Sequence, residues 1–415
     1  MYNQKMSAGR TRGKFRRNKG FGNSKKRSRF GGGASRFSSK NNKFKSPKLD
    51  ISAFINRTVN SHVEEEVFIP ENSFKDFGLN LTLLKSIEQR GYIKLTPIQD
   101  KIIPFILQGK DMVGLANTGT GKTAAFLVPL IEKVLKNTNE QVLIVVPTRE
   151  LAMQITQELQ SITRNINMNI CSMTCIGGER VKTQIKRLKD RNNFIIGTPG
   201  RLMDLVDRGN LKLNNIHTVV LDEVDRMLDM GFINDIKTLM KHIPKERQTL
   251  CFSATISQKI DALINNFLRN PKTISVKKSE APENIEQDII RVRNLNKVDI
   301  LHDLLQDEEF KKVLVFGRTK RGVENLSRKL ISRGLKVESI HSDRSQTQRK
   351  RALLNFKNNR VQTLVATDVA ARGLHIDDIT HVINYEVPET YDDYIHRIGR
   401  TGRGSNKGKA LTFVN

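Results

Sequence analysis

Cysteine is scarce: 415 residues contain three, Cys171, Cys175 and Cys251. Their odd number, without a Cys-x-x-Cys pair or a nearby ligand set, argues against a disulfide framework or a cysteine-bound metal. Reduced core thiols in a cytoplasmic protein are expected. No run approaches the roughly 18 apolar residues of a membrane span, so no membrane partner is expected. The N-terminus carries charge but lacks the apolar stretch of a secretory signal. The most uneven shortage is of acid: residues 1–49 hold 16 Lys or Arg and no Asp or Glu.

What is present follows from that imbalance. The whole chain has a formal net charge of +28, with 71 Lys and Arg against 43 Asp and Glu. A polyanionic partner is therefore expected. In residues 1–49 Gly, Ser and Asn fill the spaces, and Phe15, Phe21, Phe30, Phe37 and Phe44 recur among the cations. No helical or strand period holds, so this tail is predicted to be disordered. It reads either as a solubilising segment or, given the interleaved rings, as a nucleic-acid arm. In the second role cations would meet phosphates and Phe would stack on bases.

From Phe74 onward apolar, β-branched runs alternate with helical patterns. Strands are predicted at 112–116, 142–146, 171–175, 194–197, 217–221 and 249–253, then at 313–316, 337–340, 363–366 and 381–384. Helical stretches such as Ala124 to Leu135 and Arg149 to Ile162 separate them. This alternation predicts α/β architecture with parallel sheets covered on both faces. The polar stretch 277–284 reads as a linker, placing one domain over 50–276 and a second over 285–415. Within 50–73, Phe54 to Val59 could form a short helix.

Two segments carry chemistry. Ala116-Asn117-Thr118-Gly119-Thr120-Gly121-Lys122-Thr123 follows a predicted strand and opens a predicted helix, which is the context of a phosphate-binding loop. Gly119 and Gly121 let the backbone turn its N–H groups toward phosphate. Lys122 would reach the β- and γ-phosphates, and Thr123 would place its hydroxyl on Mg²⁺. Val219-Val220-Leu221 is a buried-strand pattern ending in Asp222-Glu223-Val224-Asp225. Buried strands seldom end in three carboxylates without a cation, so Asp222 suits the magnesium shell and Glu223 the attacking water. Together the segments specify a nucleoside triphosphatase.

Further motifs follow in order. Gly91 to Gln99 contains Gln99, whose amide could pair with adenine N6 and N7, and Phe74 lies upstream. Pro147-Thr148-Arg149-Glu150-Leu151-Ala152, Gly177-Gly178, Thr198-Pro199-Gly200-Arg201 and Ser253-Ala254-Thr255 come next. After residue 285 stand Val315 to Thr319, Gln346 with Arg349, Ala366-Thr367-Asp368 through Gly373, and His396 to Arg403. Over roughly residues 74–415 this set resembles the DEAD-box RNA helicases, with Val224 where the signature usually has Ala. Within that family the bacterial RhlE-type branch looks nearest.

The resemblance implies two RecA-like domains that use ATP and Mg²⁺ and bind RNA through backbone contacts without reading sequence. By it, Phe74, Gln99, Thr118, Gly119, Thr120, Gly121, Lys122, Thr123, Asp222, Glu223 and Gly373 hold nucleotide. Pro147, Thr148, Arg149, Gly177, Gly178, Thr198, Pro199, Gly200 and Arg201 contact RNA from the first domain. Arg318, Thr319, Gln346, Arg349 and Thr367 do so from the second. Ser253, Ala254 and Thr255 couple hydrolysis to unwinding, and Arg397 and Arg400 are arginine fingers completing the ATP site. Leu95 replaces a usual Pro, and His375 stands where many relatives carry a ribose-contacting Asp. The chain stops at Asn415, so no C-terminal partner-binding extension is expected.

The resulting expectation is a monomeric helicase that hydrolyses ATP and opens short RNA duplexes. An ATP-regulated RNA clamp or annealing chaperone is one alternative, and a DNA helicase is another. Loss of Lys122, Glu223 or a finger would favour the clamp, yet all are present.

Overall fold

A computed structural model describes residues 51–55, 68–117, 119–276, 284–293, 295–371, 376, 378–402 and 406–414. The predicted tail, residues 277–283 of the predicted linker, and the expected site residues Thr118 and Gly373 lie outside these, as does His375. The chain divides between Lys48 and Leu49, and every described residue belongs to the second unit, Leu49–Asn415.

Among the described residues the apolar runs form two parallel-sheet domains. The first sheet holds β1 (Met112–Leu115), β2 (Val142–Val145), β3 (Ser172–Cys175), β4 (Phe194–Gly197), β5 (Thr218–Leu221), β6 (Gln248–Ser253) and β7 (Lys272–Ser275). Their spatial order is β3-β4-β2-β5-β6-β1-β7. The second holds β8 (Ile285–Arg291), β9 (Val313–Phe316), β10 (Val337–Ile340), β11 (Thr363–Ala366), β12 (His381–Asn384) and β13 (Gly408–Val414), ordered β10-β11-β9-β12-β13-β8. Every neighbouring pair is parallel.

Successive side chains of a strand face opposite ways, and here both faces are covered. Val142 and Ile144 of β2 join one core cluster, while Leu143 and Val145 join another. In β9, Val313 and Val315 divide from Leu314 and Phe316 in the same manner. Uninterrupted apolar strands are the result. The parallel arrangement gathers the carboxyl ends of β1 to β6 on one rim, where the motifs emerge. Cys175 and Cys251 are buried, and burial pushes both thiols up to about 12, so they are unreactive core residues.

The outer strands β7 and β8 were not foreseen. Residues 51–55 also depart from expectation, because they pack on the second domain. Ile51–Phe54 forms a 3-10 turn, with Phe54 only 1% exposed among Ile285, Tyr394, Ile398 and Ala410. Its ring lies 4.6 Å from that of Tyr394. Enclosing such a ring is worth roughly 1.5–3 kcal/mol. Phe54→Ala is expected to destabilise the second domain by about 3 kcal/mol or more. Urea unfolding followed separately in the two domains would show its midpoint falling in the second and not in the first.

Candidate nucleotide and nucleic-acid site

The phosphate loop runs from β1 into the helix Lys122–Lys136. Gly119 (φ +87°) and Gly121 (φ +89°) occupy the left-handed region that side chains disfavour. A Cβ at Gly121 would stand 2.5 Å from Gln99 Nε2 and 2.9 Å from Thr96 Oγ1. Gln99 braces this loop: its Nε2 donates to Gly121 O at 3.1 Å, and its Oε1 accepts from Thr96 N at 3.0 Å. An amide keeps one further donor and one lone pair beyond these, and Gln99 is almost fully buried. Thr120 Oγ1 donates to Asn117 O at 2.9 Å. Lys122 Nζ donates to Ala116 O at 2.9 Å from a buried position. A cavity of about 200 Å³ opens over the loop, lined by Gly119, Gly121, Lys122, Thr123, Asp222 and Glu223 together with Tyr92 and Glu158. Phe74 sits in the core, its ring edge-on to Phe77 at 6.4 Å.

Opposite stands the acidic end of β5. Glu223 adopts φ +54°, a left-handed conformation rare for a residue with a side chain, at the turn into the helix Val224–Asp229. Its backbone N–H donates to Asp222 Oδ1 at 2.9 Å. Burial dominates at Asp222 and pushes its carboxyl up to about 6 against the pull of Lys122. Burial also opposes ionisation of Glu223, yet Arg226, Lys122 and Arg400 together hold its carboxyl below the usual value. Arg226 Nη1 donates to Glu223 Oε2 at 3.0 Å.

Among the described residues no cluster of three or more His, Cys, Asp or Glu forms a metal cage. Mg²⁺ asks for less, since it binds through one or two carboxylates, water and substrate phosphates. Asp222 and Thr123 line one cavity and supply hard oxygen donors. Asp222 and Thr123 therefore fit the ion.

Asp225 links this turn to β6. Its Oδ2 accepts from Ala254 N at 2.8 Å and from Thr255 N at 3.1 Å, while Ser253 Oγ donates to Thr255 O at 2.7 Å. Ser253, Ala254 and Thr255 are thus fastened to the acidic turn. Burial opposes ionisation of Asp225, but Lys122, Arg226 and His396 of the second domain keep its carboxyl low.

The two proposed fingers have different fates. Arg400 is buried, donates from Nε to His396 O at 3.3 Å, and bears electrostatically on Glu223. Arg397 corrects the sequence expectation, because its guanidinium is held inside the second domain. It grips Asp368 with two bonds of 2.6 and 2.8 Å, and its Nη1 donates to Asn384 Oδ1 and Glu386 O. The group lies over the Phe316 ring at 5.2 Å. A bidentate fork between a buried Arg and a half-buried carboxylate is a structural brace.

The expected RNA contacts divide likewise. Thr148 caps the helix Arg149–Thr163, Thr198 and Pro199 open the helix Pro199–Asp207, and Thr319 caps Lys320–Ile331. Pro147 is buried, whereas Gly178, Gly200 and Arg318 are exposed. Arg149 lies against Gly177 and Gly178, where added Cβ atoms would come 2.9 and 2.6 Å from its guanidinium. Arg201 Nη1 donates to Gln184 Oε1 at 2.9 Å, and Thr367 is buried. Gln346 and Arg349 face the first domain's Glu150, a contact the motifs did not announce. Arg349 Nη2 stands 2.8 Å from Glu150 Oε2, and Gln346 Nε2 reaches Oε1 at 3.5 Å. A buried carboxylate requires such a cation. Glu150, Asp225 and Arg226 lay inside or beside quoted motifs but received no role, since only tertiary contact reveals their partners. Tyr92 was overlooked in the same way; its hydroxyl pairs with Glu158 at the cavity wall.

Comparison with known proteins agrees with this geometry. The family model for the DEAD/DEAH box helicase matches residues 96–263, and that for the helicase conserved C-terminal domain matches 296–405. The chain is 47% identical over 344 residues to a DEAD-box ATP-dependent RNA helicase, CshA, of Geobacillus kaustophilus, covering 82% of this chain and 73% of the relative. It is 45% identical to CshA of Bacillus subtilis, covering 82% and 69%. Neither name supports the RhlE-type branch. Among solved structures, S. cerevisiae Dbp5 bound to RNA and ADP BeF3 is similar at TM-score 0.74 and 31% identity, with 83% of this chain and 89% of that one covered. Mss116p bound to ssRNA and AMP-PNP is similar at TM-score 0.75 and 28% identity, covering 84% and 76%. By its motifs, its paired sheets and these relatives, the chain belongs to the DEAD/DEAH box helicase family.

Proposed function

We propose that this ATP-dependent RNA helicase hydrolyses ATP at the Lys122–Asp222–Glu223 site and uses the coupled closure of its two domains to open short RNA duplexes. One observation carries the reading: Lys122, Thr123, Asp222 and Glu223 line a single cavity over the phosphate loop, and the buried Arg400 of the second domain bears on Glu223. Lys122 would hold the β- and γ-phosphates, and Asp222 with Thr123 would hold Mg²⁺. The ion supplies charge neutralisation and orientation of the phosphates. Glu223 would orient the attacking water, and Arg400 would meet charge that develops in the transition state. Asp225 ties the acidic turn to Ser253–Thr255, a route by which a change at the phosphate reaches the neighbouring segment.

RNA would run as a single strand over the Arg149, Gly177–Gly178 and Thr198–Arg201 turns, contacted at its backbone without regard to sequence. The protein would act as a monomer. Among the described residues no helix is long and apolar enough to cross a membrane, and cytoplasmic work is consistent with the expected reduced thiols. ATPase assays with RNA and DNA of equal length test the reading: RNA should stimulate strongly, and equal stimulation by DNA would overturn it. Lys122→Ala should weaken ATP binding as well as turnover, because this cation meets charge already present in the ground state. Titration with a fluorescent nucleotide would check it.

A further inference from the structure

The helix Val181–Leu188 belongs to none of the motifs above, yet it is fixed to two of them. Its single buried residue, Gln184, donates from Nε2 to Ile176 O at 2.9 Å, just before Gly177, and accepts from Arg201 Nη1 at 2.9 Å. One amide thus clamps the helix between the Gly177–Gly178 turn after β3 and the Thr198–Arg201 turn after β4. The opposite face carries Lys182, Lys186 and Lys189, spaced so that they share one stripe. These three and Arg180, Arg187 and Arg191 are all exposed, and none has an ion pair among the described residues. Glu179, just before the helix, is engaged by Gln184 instead.

We propose that the Lys182–Lys186–Lys189 face is a nucleic-acid backbone track continuing the path begun by those two turns. The inference rests on the helicase reading and adds a contact outside its motifs. Two observations favour RNA over an acidic protein. The stripe lies on a helix that Gln184 fastens to both turns, and none of the exposed large apolar residues falls within 179–191. Protein interfaces are centred on aromatic and apolar side chains, with charge at the rim. Lysines on a solvated helix offer point charges suited to phosphates met in no fixed geometry. Placed beyond the turns, they would engage only RNA long enough to pass them.

The test replaces all three with Gln in the full chain, which preserves helix propensity. A control replaces the exposed Lys237, Lys241 and Lys245 in the same way. Each phosphate neutralised on a single strand contributes about −0.7 to the slope of log affinity against log salt. The Lys182→Gln/Lys186→Gln/Lys189→Gln variant should therefore lose roughly 2 from that slope on long RNA. Its affinity deficit should shrink roughly 15–20-fold between ~50 and ~200 mM salt. Short oligomers should bind both proteins equally, and kcat at saturating RNA should not change. A variant matching wild type at every length and salt, or a control losing as much, would overturn the track. If wild type itself showed no RNA stimulation, the helicase reading would fall, and this inference with it.

Discussion

Glu223→Gln should bind ATP about as well as the wild type and lose roughly 10²–10⁴ in turnover, the usual contribution of a positioned acid–base group. The substitution is nearly isosteric, and an amide oxygen still accepts from Arg226. What it removes is the negative charge that Arg226, Lys122 and Arg400 sustain in a buried site. Loss should appear in the single-turnover hydrolysis rate, with nucleotide affinity spared. Near wild-type single-turnover hydrolysis with RNA present would remove Glu223 from its assigned role.

Arg400→Ala and Arg397→Ala should fail in different ways. For Arg400 the RNA-stimulated rate should fall by roughly 10³–10⁵, the range for an arginine finger, while the fold persists. For Arg397 the principal loss is structural, because Asp368 would be left without its cation. Arg397 is buried but Asp368 is partly exposed, so the cost should stay below the roughly 3–5 kcal/mol of breaking a fully buried pair. Denaturation curves and kcat measured on both variants separate the cases. A stable Arg397→Ala protein with a selectively lost kcat would restore that residue as a finger.

The two arginines show where sequence stops being informative. They lie three apart on a short helical turn, and spacing alone offers both to the same anion. Asp368 decides between them, and its approach depends on how β11 and the helix Tyr391–Ile398 pack. Gln346 and Arg349 turned inward for a similar reason, since Glu150 is a neighbour only after two domains have folded. The central strands were legible because a strand covered on both faces must be apolar throughout. Lys272–Ser275 is mostly exposed at the margin of its sheet, so its polar composition carried no such signal. The phosphate loop and the acidic strand end were legible because their chemistry is local: glycines for positive φ, and carboxylates at the end of a buried strand.

Phe54 changes how the polypeptide counts its domains. The second domain closes around a ring supplied from before the first, so the first is in effect inserted within it. On the ribosome the first domain can complete its core as it emerges. The slot for Phe54 does not exist until Ile285, Tyr394, Ile398 and Ala410 have all been made. Until then this aromatic waits without its partners, and its docking follows the making of that slot. A gene cut at residue 285 would yield a second domain with an unfilled cleft.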